Sequence, residues 1–291
     1  MLKFILGRAS SGKSYHIVRK IAECVRAGET PVLIVPEQFS FESEKRVLFS
    51  LGDSDAQKVK VLSFSRLCDE VENIVGGRGV GKLTDSDKII IMSNALHSTR
   101  DKLKYFGRYV NSTGFAKMML NTVGEFEQNT VSVADIYEAA ESIEDSVFKR
   151  KLYDTALIFA EYNEQISEKF LGFEDKLTRL YNILGDYKYF EGKTVFIDSF
   201  SGFTGQQYRI IDRILTGAKD LFVSFTDNPQ DVGNLNIFAN IKKAQEKICA
   251  IAQKHGVKRA DDVLIESGKY VSDSMAAIEE YMCRGNTQHT V

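Results

Sequence analysis

The 291-residue sequence has few cysteines, no excess of basic charge and no long hydrophobic run. Its four cysteines, Cys24, Cys68, Cys249 and Cys283, make no C-x-x-C pair, and none stands beside a histidine at metal-ligand spacing. That argues against a zinc site and for reduced, buried thiols. Lys plus Arg number 38 against 40 Asp plus Glu, for a net charge of −2. A free-standing nucleic-acid binder usually carries a basic excess, so any such function has to come from a local patch. Lys3, Arg8, Lys13, Arg19, Lys20 and Arg26 outnumber Glu23 and Glu29 at the start of the chain. They read equally well as a solvated helix face with one phosphate-binding lysine. No apolar run reaches the ~20 residues of a membrane span, and Leu2–Leu6 is too short for a signal-peptide core. A cytoplasmic protein without membrane association is expected.

With 43% hydrophobic residues there is ample side chain for a core, in one large domain or two smaller ones. Residues 1–75 alternate short apolar runs with helical periodicity. Strands are expected at Leu2–Leu6, Val32–Val35 and Val59–Leu62, and helices at Lys13–Ala27, Phe39–Leu51 and Ser63–Val75. Gly28 supplies a helix stop and Pro36 ends the second strand. This alternation implies a parallel sheet covered on both faces. The glycines Gly76, Gly77, Gly79 and Gly81 then mark a boundary. From Thr84 to about Tyr189 only helical stretches follow: Ser86–Leu103, Gly114–Gln128, Val133–Ser142, Val147–Phe170 and Glu174–Leu184. The α/β pattern resumes with strands at Thr194–Ile197 and Leu221–Phe225 and helices at Thr204–Leu215 and Ile237–His255. Residues 267–291 are weakly patterned. The expected architecture is an α/β domain of the RecA-like P-loop class, residues 1–81 and 189–291, interrupted by an all-helical insertion at 82–188.

The strongest motif is Gly7-Arg8-Ala9-Ser10-Ser11-Gly12-Lys13-Ser14, which matches G-x-x-x-x-G-K-[ST] at every fixed position and lies between a strand and a helix. Gly7 and Gly12 are expected to permit backbone angles closed to other residues. The loop's N–H groups would curl around phosphates at the positive end of the helix dipole. Lys13 would reach the β- and γ-phosphates and Ser14 would offer its hydroxyl to Mg²⁺. Asp198, at the end of the strand Val195-Phe196-Ile197, stands where a Mg²⁺-binding aspartate is expected; a lone Asp there also reads as a turn or helix cap. ATP and Mg²⁺ are the expected ligands.

These segments resemble superfamily 1 DNA helicases of the UvrD/Rep kind and, within them, the AddB (RexB) subunits of bacterial helicase–nucleases. The likeness is strongest over residues 1–75 and 190–226. Val35-Pro36-Glu37-Gln38-Phe39-Ser40-Phe41-Glu42 resembles that family's V-P-E-Q-x-[ST]-F-x-x-E. Val61-Leu62-Ser63-Phe64-Ser65-Arg66-Leu67 resembles its next block, and Phe196-Ile197-Asp198-Ser199-Phe200 its degenerate carboxylate motif. In the related motors the aspartate opens D-E-x-Q-D; here Ser199, Ser201 and Gly202 replace Glu, Gln and Asp. Ser199 thus stands where the water-polarising glutamate is expected, and a serine hydroxyl is a poor general base. No room precedes Gly7 for the helicases' adenine-reading glutamine.

The resemblance implies a helicase-like, non-motor module of an AddAB-type complex that acts in double-strand break processing and recombinational repair. Such a module would bind ATP weakly, contact DNA and partner an AddA-type helicase–nuclease subunit. It makes Gln38, Ser40, Phe64, Ser65 and Arg66 candidate DNA contacts. Helix caps for Ser40, Ser63 and Ser65, and core packing for Phe64, are the structural alternatives. The family's iron–sulfur nuclease domain is not expected here, since no cysteine set suits a cluster. Two other readings stay open. One is a small-molecule P-loop kinase, which would need clustered lid arginines, whereas Arg78, Arg100, Arg108, Arg150 and Arg179 are scattered. The other is a docking domain with a vestigial loop.

Overall fold

The computed structural model describes residues 1–76, 83–144, 146–169, 175–227 and 238–265, together with Ser274, Met275, Ile278 and Tyr281. Gly77, Gly79 and Gly81 of the glycine cluster, Arg78, Cys283 and most of the weakly patterned 267–291 stretch lie outside those residues. In chain order the elements begin β1 (Leu2–Gly7), α1 (Lys13–Arg26), β2 (Val32–Ile34), α2 (Ser40–Leu51), α3 (Asp53–Ala56), β3 (Lys60–Leu62) and α4 (Phe64–Val75). Five helices follow without a strand among the described residues: α5 (Asp85–Thr99), α6 (Thr113–Gln128), α7 (Val133–Glu141), α8 (Val147–Lys169) and α9 (Lys176–Asp186). The chain returns to β4 (Thr194–Ile197), α10 (Gly205–Gly217), β5 (Asp220–Thr226), α11 (Ala239–Lys254) and β6 (Val263–Leu264).

Two compact units result. One comprises 1–75, 179–203 and 207–291, the other 76–178 and 204–206. In the first, six strands form a wholly parallel sheet of order β3-β2-β4-β5-β1-β6. Consecutive residues Phe4 and Ile5 are both fully buried, as are Val195, Phe196 and Ile197. A strand buried on successive residues is covered on both faces, which requires helices on both sides. On one face Ile17, Ile21 and Val25 of α1, spaced one turn apart, and Val47 of α2 pack with Ile5, Leu33, Val61 and Phe196. Phe196 stacks on Phe222 of β5 at 5.0 Å between ring centroids. The expected strands and helices of this unit are all present. β6 was not anticipated: Val263 and Leu264 pair with Ile5 and Leu6 and extend the sheet by one strand.

The second unit is helical. Ile91, Met92, Ala95 and Leu96 of α5, Phe115, Met119 and Val123 of α6, Ile136 of α7 and Ile158, Phe159 and Tyr162 of α8 form its core. Its helices begin where the sequence supplies caps. Thr84 and Asp87 make a reciprocal capping box on α5, Ser132 and Asp135 another on α7, and Ser112 Oγ accepts from the Phe115 N–H on α6.

Candidate functional site

Parallel strands present their carboxyl ends along one edge, and ligands of open α/β sheets bind beyond that edge. β5 runs between β1 and β4, with Gly7 opposite Thr226 and Ile197 opposite Val223. The loop after β1 and the residue after β4 therefore face each other across the end of β5. Asp198, one residue beyond Ile197, is buried; its N–H donates to the Ile34 carbonyl at 3.0 Å, and its Oδ1 accepts from the hydroxyl of Ser224 on β5. A cavity of ≈ 340 Å³ opens here, lined by Ala9, Ser10, Lys13 and Ser14 of the loop and helix start, Asp198, Ser199 and Ser201 after β4, and Ser224 and Thr226 of β5. Phe39, Phe200 and Ile241 supply its apolar wall.

The loop itself is tightly organised. Lys13 Nζ donates to the carbonyls of Gly7 at 2.9 Å and Arg8 at 2.7 Å, and the Ser11 N–H donates to the Arg8 carbonyl at 3.3 Å. Lys13 begins α1, whose first turn carries no acidic residue and whose Gly12 cap supplies no side-chain hydrogen bond. Its first turn thus meets the cavity with no acidic side chain beside it, an environment that favours an anion. Gly12 takes φ +96° and Ser10 φ +57°; across the cavity Ser199 takes φ +66°. Two serines in the left-handed region border one cavity, and backbone strain of that kind clusters at functional sites.

Gly7 departs from expectation: its φ is not positive, and what it supplies is room. A Cβ there would lie 2.5 Å from Ser11 Oγ and 2.7 Å from the backbone oxygen of Ile265, the residue after β6. Gly7→Ala should therefore destabilise the sheet unit by about 1–3 kcal/mol. Adding Ser11→Ala should recover only part of that loss, because Ile265 O is backbone. Paired urea melts measure both, and a parent-like midpoint for the single variant would refute the steric account.

The remaining sequence candidates are placed elsewhere. Gln38, Ser65 and Arg66 are exposed, whereas Ser40 and Phe64 are buried, and none of the five lines this cavity. Phe64 packs edge-to-face on Phe200 at 5.6 Å. Ser63 caps α4 by accepting from the Arg66 N–H at 3.1 Å, while Ser40 makes no capping bond. The Arg66 side chain pairs with Glu44 at 2.5 Å and borders a separate groove with Lys45 and Glu70. Sequence reasoning missed Ser224 and Thr226. Ser224 did leave a signal, as the only hydroxyl within the otherwise apolar run Leu221–Phe225.

The family model described as "ADDB, N-terminal" matches residues 4–279. The chain belongs to the AddB N-terminal family. Curated relatives are named as one of the subunits of an ATP-dependent helicase/deoxyribonuclease. The protein of Clostridium tetani is 33% identical over 268 residues, covering 88% of this chain and 23% of the relative. That of Clostridium novyi is 31% identical, covering 91% and 24%. That of a Thermoanaerobacter strain is 29% identical over 289 residues, covering 97% and 25%. The chain spans about a quarter of the length of these AddB-family relatives.

Proposed function

We propose that the sheet unit is a helicase-like P-loop module that binds ATP with Mg²⁺ and contacts DNA within an ATP-dependent helicase–nuclease. In such a complex it would serve double-strand break processing beside an AddA-type subunit. The observation that carries this reading is the single cavity uniting Ser10, Lys13 and Ser14 with Asp198. Its donor set suits a metal-bound triphosphate. The loop N–H groups and Lys13 would hold phosphate, and Ser14 with Asp198 would hold Mg²⁺, which neutralises phosphate charge. At ≈ 340 Å³ the cavity lies near the lower end of the ~300–1,000 Å³ typical of small-molecule sites. That volume suits the phosphate tail of a nucleotide and leaves its base weakly held.

DNA contact falls to the exposed Gln38, Ser65 and Arg66 beyond β2 and β3. Arg66 is held by one exposed ion pair to Glu44, an interaction worth at most about 1 kcal/mol, so a phosphate can compete for it. The kinase alternative finds little support: Arg179 is tied to Glu72 at 2.8 Å, and Arg108 lies over the Tyr109 ring.

Isothermal titration of the whole chain with ATP and Mg²⁺ tests the reading. The expected result is weak binding that Lys13→Ala reduces by about 10–100-fold, the loss of one charge-assisted hydrogen bond. A flat titration at high ATP would leave only the docking-domain reading, and phosphate transfer to a nucleoside would establish the kinase.

A further inference from the structure

The helical unit carries a second concentration of charge that the cavity does not use. The whole chain has more acidic than basic residues. Two of its segments reverse that balance. Residues 100–109 hold Arg100, Lys102, Lys104 and Arg108 against Asp101 alone, and the start of α8 holds Lys149, Arg150 and Lys151 with no acid before Asp154. Asp154 is buried and turned inward. Its Oδ1 accepts from the Lys104 N–H at 2.9 Å, and its Oδ2 accepts from the N–H groups of Tyr105 at 2.7 Å and Phe106 at 2.8 Å. Phe106 packs beneath on Phe115 at 5.0 Å. The Asp154 carboxylate thereby fastens the 104–106 turn to α8, and the Phe106 ring fastens it to α6.

That fastening produces a reciprocal pairing of cations and rings. Lys104 of the turn stands over Tyr153 of α8, 5.7 Å from its centroid. Lys151 of α8 stands over Tyr105 of the turn at 4.7 Å. Arg108 lies between Tyr109 at 4.7 Å and Tyr105 at 5.9 Å. Among the described residues, no carboxylate pairs with Lys104, Arg108 or Lys151. At the border Glu141 pairs with Lys149 at 3.6 Å and accepts from the Tyr153 hydroxyl.

We propose that this face of the helical unit binds the sugar-phosphate backbone of nucleic acid. A fixed long cation is costly in side-chain entropy, and here the rings meet that cost before a ligand arrives. Three held, unneutralised cations present the donors that phosphates take, and phosphate neutralisation is what drives sequence-independent binding. The rings are occupied by cations rather than open, so this face follows the backbone and does not stack bases. The inference rests on the DNA-contact reading above and extends it to a separate surface.

Fluorescence anisotropy of the whole chain with a short labelled duplex, and with the matching single strand, tests it across about 50–200 mM salt. The triple variant Lys104→Gln, Arg108→Gln, Lys151→Gln should bind at least tenfold more weakly at low salt. Its slope of log K against log salt should flatten by about 2.7 on duplex or about 2 on single strand, which tells the two forms apart. Tyr105→Leu keeps every charge and should weaken binding a few-fold at unchanged slope. Should the triple variant fail to fold, each single Gln variant should flatten the duplex slope by about 0.9.

An unchanged triple variant overturns the proposal. If Arg66→Gln then weakens binding, the DNA reading of the sheet unit survives; if the parent chain binds neither probe, both readings fall. Retained DNA binding with lost capture of the AddA-type subunit would reassign the face to an acidic protein surface and equally overturn it.

Discussion

Asp154→Ala is expected to cost the helical unit about 3–5 kcal/mol, the range for stranding buried partners of a charge. The Asp154 carboxylate is buried and accepts three backbone N–H groups from consecutive residues, Lys104, Tyr105 and Phe106. Hydrogen bonds to a charged group are worth about 1.5–3 kcal/mol each. They do not add in full, because a released turn can rotate some donors toward water. For a unit of roughly a hundred residues each kcal/mol lowers the melting midpoint by about 4–8 °C. A fall of about 12 °C or more is therefore expected in a thermal melt followed by near-ultraviolet circular dichroism. Asp154→Asn is the informative companion. Its carbonyl can take the place of Oδ2 and keep Tyr105 and Phe106, but its amide then opposes the Lys104 N–H, donor against donor. About half the alanine loss is expected. An alanine variant within about 1 kcal/mol of the parent would mean that water replaces the carboxylate and that the turn is not held as described.

How far the sequence discloses this molecule depends on the range of the interaction that fixes each feature. Strands of consecutive buried apolar residues such as Val195-Phe196-Ile197, and helices with one apolar face such as Ile17, Ile21 and Val25, declare themselves through local periodicity. The α/β class and the helical stretch between Gly76 and Tyr189 follow from that. β6 does not, because two residues carry no period, and Val263 and Leu264 become a strand only by pairing with Ile5 and Leu6 more than 250 positions away. Nor does the strand order, which places β5 between the two halves of the site and makes Ser224 a partner of Asp198. The role of Gly7 was legible in kind but not in cause. The motif demands a glycine there, while the reason is the Ile265 carbonyl, brought in by the unanticipated sixth strand. Asp154 showed only as a polar residue in a helix, since its partners lie about fifty residues earlier. The candidate site was thus legible in its loop and its aspartate, and illegible wherever a neighbour in space is distant in sequence.

The largest functional effect expected is in turnover. If the cavity binds ATP as proposed, hydrolysis by this chain should fall roughly 10²–10⁴-fold below that of a related motor with a water-polarising carboxylate, the share that general-base catalysis contributes. By the motif resemblance Ser199 would stand at that position; it lines the cavity, but a serine hydroxyl stays protonated at neutral pH. Restoring the carboxylate alone should recover little. Ser199 sits at φ +66°, a conformation that costs a residue bearing a Cβ roughly 1–2 kcal/mol. A glutamate there retains that strain, and its side chain enters a cavity where Asp198 already carries a buried carboxylate. Ser201 and Gly202 meanwhile stand where the motif of the related motors has Gln and Asp. Ser199→Glu is accordingly expected to raise DNA-stimulated phosphate release less than tenfold, measured at saturating ATP with Lys13→Ala as the background. A recovery of a hundredfold or more would show that the backbone at Ser199 already presents a side chain toward the attacking water. The missing carboxylate would then be the one defect separating this module from a motor.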